Sequence, residues 1–241
     1  MSNIWVSFFK PTGLFEGSFN RFASWWTGGD FCHCELVFEI KPEILMECVK
    51  NRYTTIKNDP EERKLKISRT LEKMFFESKE NRTLLQKSDT VFLSFSLVWG
   101  DELRLRMLMN VQDPWYSTPV NEFEDLTWKK LSNIDDKFIK KGLQWSLQEI
   151  CKPYNTSAAM FSWIPSFTND NIVPKESYFC SEFTAMVLIH MAYLKPMSVT
   201  DCTPNSLWKI INTRETALEN MKEEEPVETF VDTSSSEEEE D

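Results

Sequence analysis

Histidine is in short supply here: the 241-residue chain holds only two, His33 and His190. Any chemistry that needs an imidazole base must choose between them. The six cysteines form no Cys-x-x-Cys pair, and no secretory leader precedes them. The expectation is therefore reduced thiols in an intracellular, cytoplasmic setting. No apolar run approaches the ~20 residues of a membrane span, which leaves peripheral contact as the membrane mode open to the chain. A basic face is missing as well. The net charge is −11, but residues 222–241 carry ten acidic side chains against one lysine, so the rest is nearly neutral. Neither part offers the basic footprint of nucleic-acid binding.

What is present suits one domain with appendages, long enough for a sizeable core. The domain is expected over residues 1–221, with insertions at 58–88 and 111–135. Residues 222–241 read as an acidic, disordered tail. The tail can bind a basic partner, and Ser234, Ser235 and Ser236 each precede a glutamate by three residues, as an acid-directed kinase would require.

The densest chemistry surrounds Cys180, which follows Tyr178 and opens an apolar run at helical spacing. With Ser177 as N-cap, a helix over roughly 178–193 is predicted. A cysteine in its first turn feels unpaired backbone N–H groups and a positive dipole end, both of which favour thiolate. Cysteine on an apolar helix is also a common core residue, so the position alone does not decide.

A nucleophilic thiolate needs a base. His190 lies ten residues further along the same helix, roughly 15 Å away at ~1.5 Å per residue, and reads as an interior helix histidine. His33 remains. Its surroundings, Phe31-Cys-His-Cys-Glu-Leu-Val-Phe38, have the β-branched and aromatic content of a strand. Period-two alternation places His33 and Glu35 on one face, with Cys32 and Cys34 on the other, turned away from the cleft. Two carboxylates compete to orient the imidazole. Glu35 is two residues along the strand. Glu47 would face His33 if residues 44–49 formed the second strand of a hairpin turning at Lys41-Pro42, and Glu47 is the preferred partner.

Elsewhere, residues 4–9 and 90–98 read as strands. Residues 15–26 read as a helix whose Phe15, Phe19, Phe22, Trp25 and Trp26 form either core or one wall of an apolar cleft. Surface helices are expected over 58–87, a helix capped by Asp101 over 102–110, loop over 111–131 with the reach to form a lid, and helix over 135–151.

Five pieces in order resemble the permuted papain-like branch of the NlpC/P60 superfamily, the YiiX-like hydrolases of bacteria and large DNA viruses. They are Thr27-Gly-Gly-Asp-Phe-Cys-His33, Met46-Glu47-Cys48, Cys151-Lys-Pro-Tyr154-Asn155, Tyr178-Phe-Cys180-Ser-Glu182 and Thr203-Pro-Asn-Ser-Leu-Trp208. The chain departs from that family in the cysteines beside His33, in the missing glycine before Lys152 and in its charged insertions. The resemblance implies an α+β, circularly permuted papain-like fold, a small antiparallel sheet packed on helices. It also implies a Cys180–His33–Glu47 site acting on an amide, peptide, thioester or lipid ester, with virion association if the chain is viral. Tyr178, Tyr154 and Glu35 fall in the substrate or oxyanion region, and no cofactor or metal is called for.

Two other classes fit parts of the sequence. Cys32, His33, Cys34 and Cys48 are soft ligands close together, as a structural zinc site needs, although adjacent strand residues point to opposite faces. A catalytically silent interaction module of the same fold would use the acidic tail and aromatic cleft for binding. Because the tail carries charge but no core, deleting residues 222–241 should leave the melting temperature nearly unchanged; a drop of several degrees in a thermal scan would show that it docks on the body.

Overall fold

The computed structural model describes residues 2–12, 17–97, 100–108, 126–161 and 176–223. Its centre is strand β2 (His33–Ile40), whose alternating residues serve two different faces. Strand β1 (Asn3–Phe9) pairs along one side of it and β3 (Val91–Ser96) along the other. Strand β4 (Arg104–Leu108) extends the sheet beyond β3, and β5 (Leu126–Leu131) extends it beyond β1. The order is β4-β3-β2-β1-β5 and every pairing is antiparallel. The chain is thus an α+β protein with a small five-stranded sheet.

One face of the sheet is apolar. Ile4, Val6 and Phe8 of β1, Cys34, Leu36 and Phe38 of β2, and Leu93 and Phe95 of β3 are all buried in the main core. The other face carries polar groups in its middle: Ser7 of β1 stands in register with Glu35 of β2, and Ser96 of β3 bonds to the same glutamate.

The helices are α1 (Ser18–Trp26), α2 (Pro42–Thr55), α3 (Glu61–Leu71), α4 (Lys79–Lys87), α5 (Asp136–Glu149), α6 (Thr156–Phe161), α7 (Cys180–His190) and α8 (Pro204–Glu223). A 3-10 turn, Ile56–Asn58, follows α2, and a π-helical turn, Glu72–Glu77, joins α3 to α4. The charged stretch expected to be helical is therefore so. Helix α7 is buried on nearly all sides from Cys180 to Leu188. Within the sheet it packs on β2, while α5 packs on both α2 and α7. Gly142 of α5 makes that last approach close: a Cβ there would come 2.3 Å from Met191 Cγ.

Three expectations are corrected. Residues 44–49 are not a strand but the middle of α2, where Leu45, Cys48, Val49 and Arg52 form a buried stripe at helical spacing. Pro42 occupies the first turn, where its missing N–H costs nothing, and Glu43 complements the dipole there. Of the helix expected over 102–110, the described residues 102–108 are not helical: Leu105 and Met107 alternate with Arg104 and Arg106 along β4. The loop expected over 111–131 ends in β5, and residues 109–125 lie outside the described residues. In α1, Phe22 and Trp25 stand 49 % and 72 % exposed, so the aromatic stripe is not simply core. The side chains of Phe15, Phe19 and Trp26 lie outside the described residues, as does the tail from residue 224.

A buried asparagine at the start of α8 ties down the loop that leads into β2. Asn205 Oδ1 accepts from the Phe31 N–H at 2.9 Å, and its Nδ2 donates to the Phe31 carbonyl at 2.9 Å and to Thr27 Oγ1 at 2.6 Å. Gly29 packs so closely that a Cβ would meet Asn205 Oδ1 at 2.3 Å. Asn205→Ala strands the Phe31 N–H and C=O in the interior and should cost about 2–3 kcal/mol. Thermal unfolding checks this, with the melting temperature expected to fall by roughly 4–12 °C; an unchanged midpoint would mean the clamp contributes nothing.

Candidate active site

Cys180 is the first residue of α7. The helix begins there, not at residue 178, because the preceding backbone is already committed to extended pairing. The Tyr178 N–H donates to the Pro153 carbonyl at 3.2 Å, and the Asn155 N–H donates to the Tyr178 carbonyl at 2.6 Å. Phe179, not Ser177, is the N-cap, and its N–H donates to the Glu182 carboxylate at 3.3 Å. The first N–H groups of a helix have no partner within it. Cys180 is therefore held where the helix presents its positive end.

His33, the first residue of β2, is 5 % exposed and packs 5.2 Å from the Phe9 ring, centroid to centroid. Its Nε2 lies 3.1 Å from Glu35 Oε1, and Ser96 Oγ donates to that same oxygen. The Cys180 sulfur lies within side-chain hydrogen-bonding reach of the same ring. Burial works against the imidazolium, but the Cys180 charge and bond, together with Glu35, outweigh it and push the histidine up to about 10.

Cys180 moves the other way. A hydrogen bond from the Cys34 thiol, opposed by burial and reinforced by the His33 charge, holds it well below the ordinary thiol range. Its neighbours stay protonated. Burial and the Cys180 charge push Cys32 up to about 12, burial pushes Cys202 to about 12, and Cys34 is raised well above its usual range by burial and by its bond to Cys180. One thiolate thus stands among three thiols, paired with a buried imidazolium.

Cys34 leaves β2 on the apolar face, as the alternation predicts, but that face is where α7 packs. Expected to turn away from the cleft, it instead lies within side-chain hydrogen-bonding reach of the Cys180 sulfur. Its Sγ also lies 3.7 Å from Thr184 Oγ1, which donates to the Cys180 carbonyl at 3.0 Å one helical turn on.

Glu47 is the residue the fold removes from the site. On α2 it faces outward, its side chain 54 % exposed, and both carboxylate oxygens accept from Lys140 Nζ at 2.7 Å. Glu35 takes its place beside the imidazole. Tyr178 is likewise turned away: fully buried, its hydroxyl donates to Glu149 Oε2 at 2.6 Å, and Lys152 Nζ reaches the same oxygen at 2.5 Å. Tyr154 does belong to the neighbourhood. Burial and the Cys180 charge both raise its phenol, so it keeps its proton. His190, half-buried, stacks on Trp145 at 4.6 Å and is held low by burial; it takes no part.

The soft ligands do not assemble. Cys48 is on α2 near Glu47 and Lys140, and no three His, Cys, Asp or Glu side chains among the described residues group as a metal ion would require. Nor is any described helix long and apolar enough to cross a membrane. The sequence reading missed Ser96, whose polar side chain in a buried strand was the available signal. It also missed Thr184, four residues after Cys180. Comparison with family models, characterised proteins and solved structures finds no match to this chain.

The paired shifts give a pH signature. An ordinary cysteine near ~8.5 gains reactivity as pH rises through that value. Cys180 should already be thiolate at neutral pH, so its labelling by iodoacetamide should be flat from neutrality up to about 10, where His33 loses its proton. Mass-spectrometric labelling rates should show Cys180 roughly tenfold or more ahead of Cys48 and Cys151 at pH 7, with His33→Ala moving the rise in Cys180 labelling to higher pH. Equal rates at all six cysteines would contradict the assignment.

Proposed function

We propose that this chain is a cysteine-dependent hydrolase or acyltransferase of the permuted papain-like type. The observation that carries the reading is the buried series Cys180, His33, Glu35, with the sulfur at a helix N-terminus and the imidazole held by a carboxylate that Ser96 also binds. Nucleophile, base and orienting group within reach of one another are what thiol acyl transfer requires, whatever their order in the chain.

The Cys180 thiolate attacks a carbonyl carbon, and the carbonyl π electrons move to oxygen. The Cys180 N–H at the start of α7 offers one donor to that oxyanion, and the protonated Tyr154 phenol is suited to be a second. The His33 imidazolium gives its proton to the departing amine, alcohol or thiol as the tetrahedral species collapses to a thioester. Neutral His33 then takes a proton from water, or from an acyl acceptor, whose oxygen attacks the thioester and releases Cys180 as thiolate. Glu35 keeps the ring oriented and stabilises its charged form throughout. The substrate is a small-molecule, peptide or lipid-like amide, thioester or ester, and exposed Phe22 and Trp25 on α1 suit an apolar acyl group or peripheral contact with a membrane.

Turnover on panels of amide, thioester and phospholipid substrates tests this. Cys180→Ala should abolish it. Glu35→Gln keeps size but loses the charge, and should lower turnover by roughly 10²–10⁴-fold. Glu47→Gln, which only breaks an exposed ion pair worth about 0–1 kcal/mol, should leave activity close to that of the parent. No turnover in any form, with partner binding unaffected by Cys180→Ala, would instead favour a silent binding module; equal losses from Glu35→Gln and Glu47→Gln would remove Glu35 from its role.

A further inference from the structure

Catalytic chemistry does not explain why the histidine is flanked by cysteines, or why one of them lies against the nucleophile. Of the three thiols around Cys180, Cys34 is the one within side-chain hydrogen-bonding reach of its sulfur. Thr184 fixes the pair from the helix side, contacting Cys34 Sγ and bonding the Cys180 carbonyl. Cys32 Sγ is directed at the Phe9 carbonyl, 3.5 Å away, and Cys202 bonds to Ser206. Cys34 is 1 % exposed and packed between β2 and α7, so external disulfides and bulky oxidants reach it poorly. A small oxidant entering at Cys180 has Cys34 as the next sulfur it can meet.

We propose that Cys34 is the resolving cysteine of a reversible Cys34–Cys180 disulfide that shuts the site under peroxide; the proposal rests on Cys180 being the reactive thiolate argued above. The Cys180 sulfur attacks the nearer oxygen of a hydroperoxide, the O–O bond breaks, and with hydrogen peroxide the products are the sulfenate and water. Sulfur is oxidised and the peroxide reduced. The Cys34 thiol gives its proton to the sulfenate oxygen as its sulfur attacks the sulfenate sulfur, the S–O bond breaks, and the oxygen leaves as hydroxide, or as water once the His33 proton is added. Disulfide formation stops Cys180 before it reaches sulfinic acid, which thiols do not reverse. A thiol reductant restores both sulfurs. The nucleophile is thereby masked and protected by its own neighbour.

The test uses the full chain, hydrogen peroxide near stoichiometry, and peptide mapping without reduction. The expected result is a cross-linked peptide joining Cys34 to Cys180, loss of iodoacetamide labelling at Cys180, and its return after dithiothreitol. In Cys34→Ser a several-fold excess of peroxide, since sulfinic acid consumes two equivalents, should give sulfinic acid at Cys180, with about tenfold less labelling recovered than in the wild type under the same excess. The wild-type cross-link is read directly, so the proposal does not depend on how that variant folds. Fast labelling of Cys180 followed by no Cys34–Cys180 peptide, or by a link to Cys32 or Cys202, overturns the lock while leaving the hydrolase reading intact. A Cys180 that neither labels nor oxidises overturns both.

Discussion

The site rests on keeping one negative charge where water hardly reaches. Cys180 is 5 % exposed, and an unpaired ion at such a depth costs several kcal/mol. The charge is tolerable only because the His33 imidazolium, the Cys34 thiol and the amino end of α7 converge on it. They come from two places far apart in the chain: the first two from the start of the central strand, the third from a helix that begins almost 150 residues later. Moving α7 by a fraction of a turn along β2 would leave the sulfur to take up a proton and the imidazole to lose one.

A second buried ionic group secures that placement. Glu149 and Lys152 pair at 2.5 Å at the end of α5, the Tyr178 hydroxyl bonds to the same carboxylate oxygen, and the lysine sits 5.2 Å over the tyrosine ring. Burying such a pair is weak evidence of net stabilisation, but it specifies position well. Here it locks the backbone immediately before Cys180 against the segment at 152–155. Cys151, which turns the chain into that segment, has φ 64°, a left-handed conformation that costs a side-chain-bearing residue roughly 1–2 kcal/mol.

Much of this was legible in the sequence, for reasons that differ from element to element. The central strand announced itself through Val37, Phe38 and the alternation around His33, and the scarcity of histidine forced the choice of base. The nucleophile helix was visible from its apolar run, but its start was misjudged because Ser177 is a good cap in isolation and the β-bridge that keeps 176–179 extended is a tertiary effect. Residues 44–49 form a short apolar run of the kind periodicity cannot assign alone; Pro42 and Glu43 were the better guide. That one error set Glu47, where the structure has Glu35, beside His33. Strand β5 was hidden because only Leu131 of its residues is fully buried. The Cys34 contact was hidden because alternation tells which face a side chain takes, not what packs there.

Strand β1 lies between a partner some thirty residues away in sequence and another beyond residue 125: Phe8 pairs with Cys34 on one side and with Thr127 on the other. Closing long loops of this kind delays folding, since their entropy is lost before the distant contacts repay it. Until the last strand and α7 arrive, Cys180 is an ordinary thiol on an open chain, no more acidic than its five counterparts. Its acidity is therefore a product of assembly, and the newly made polypeptide stays chemically quiet until the fold that gives the sulfur its reactivity also buries it.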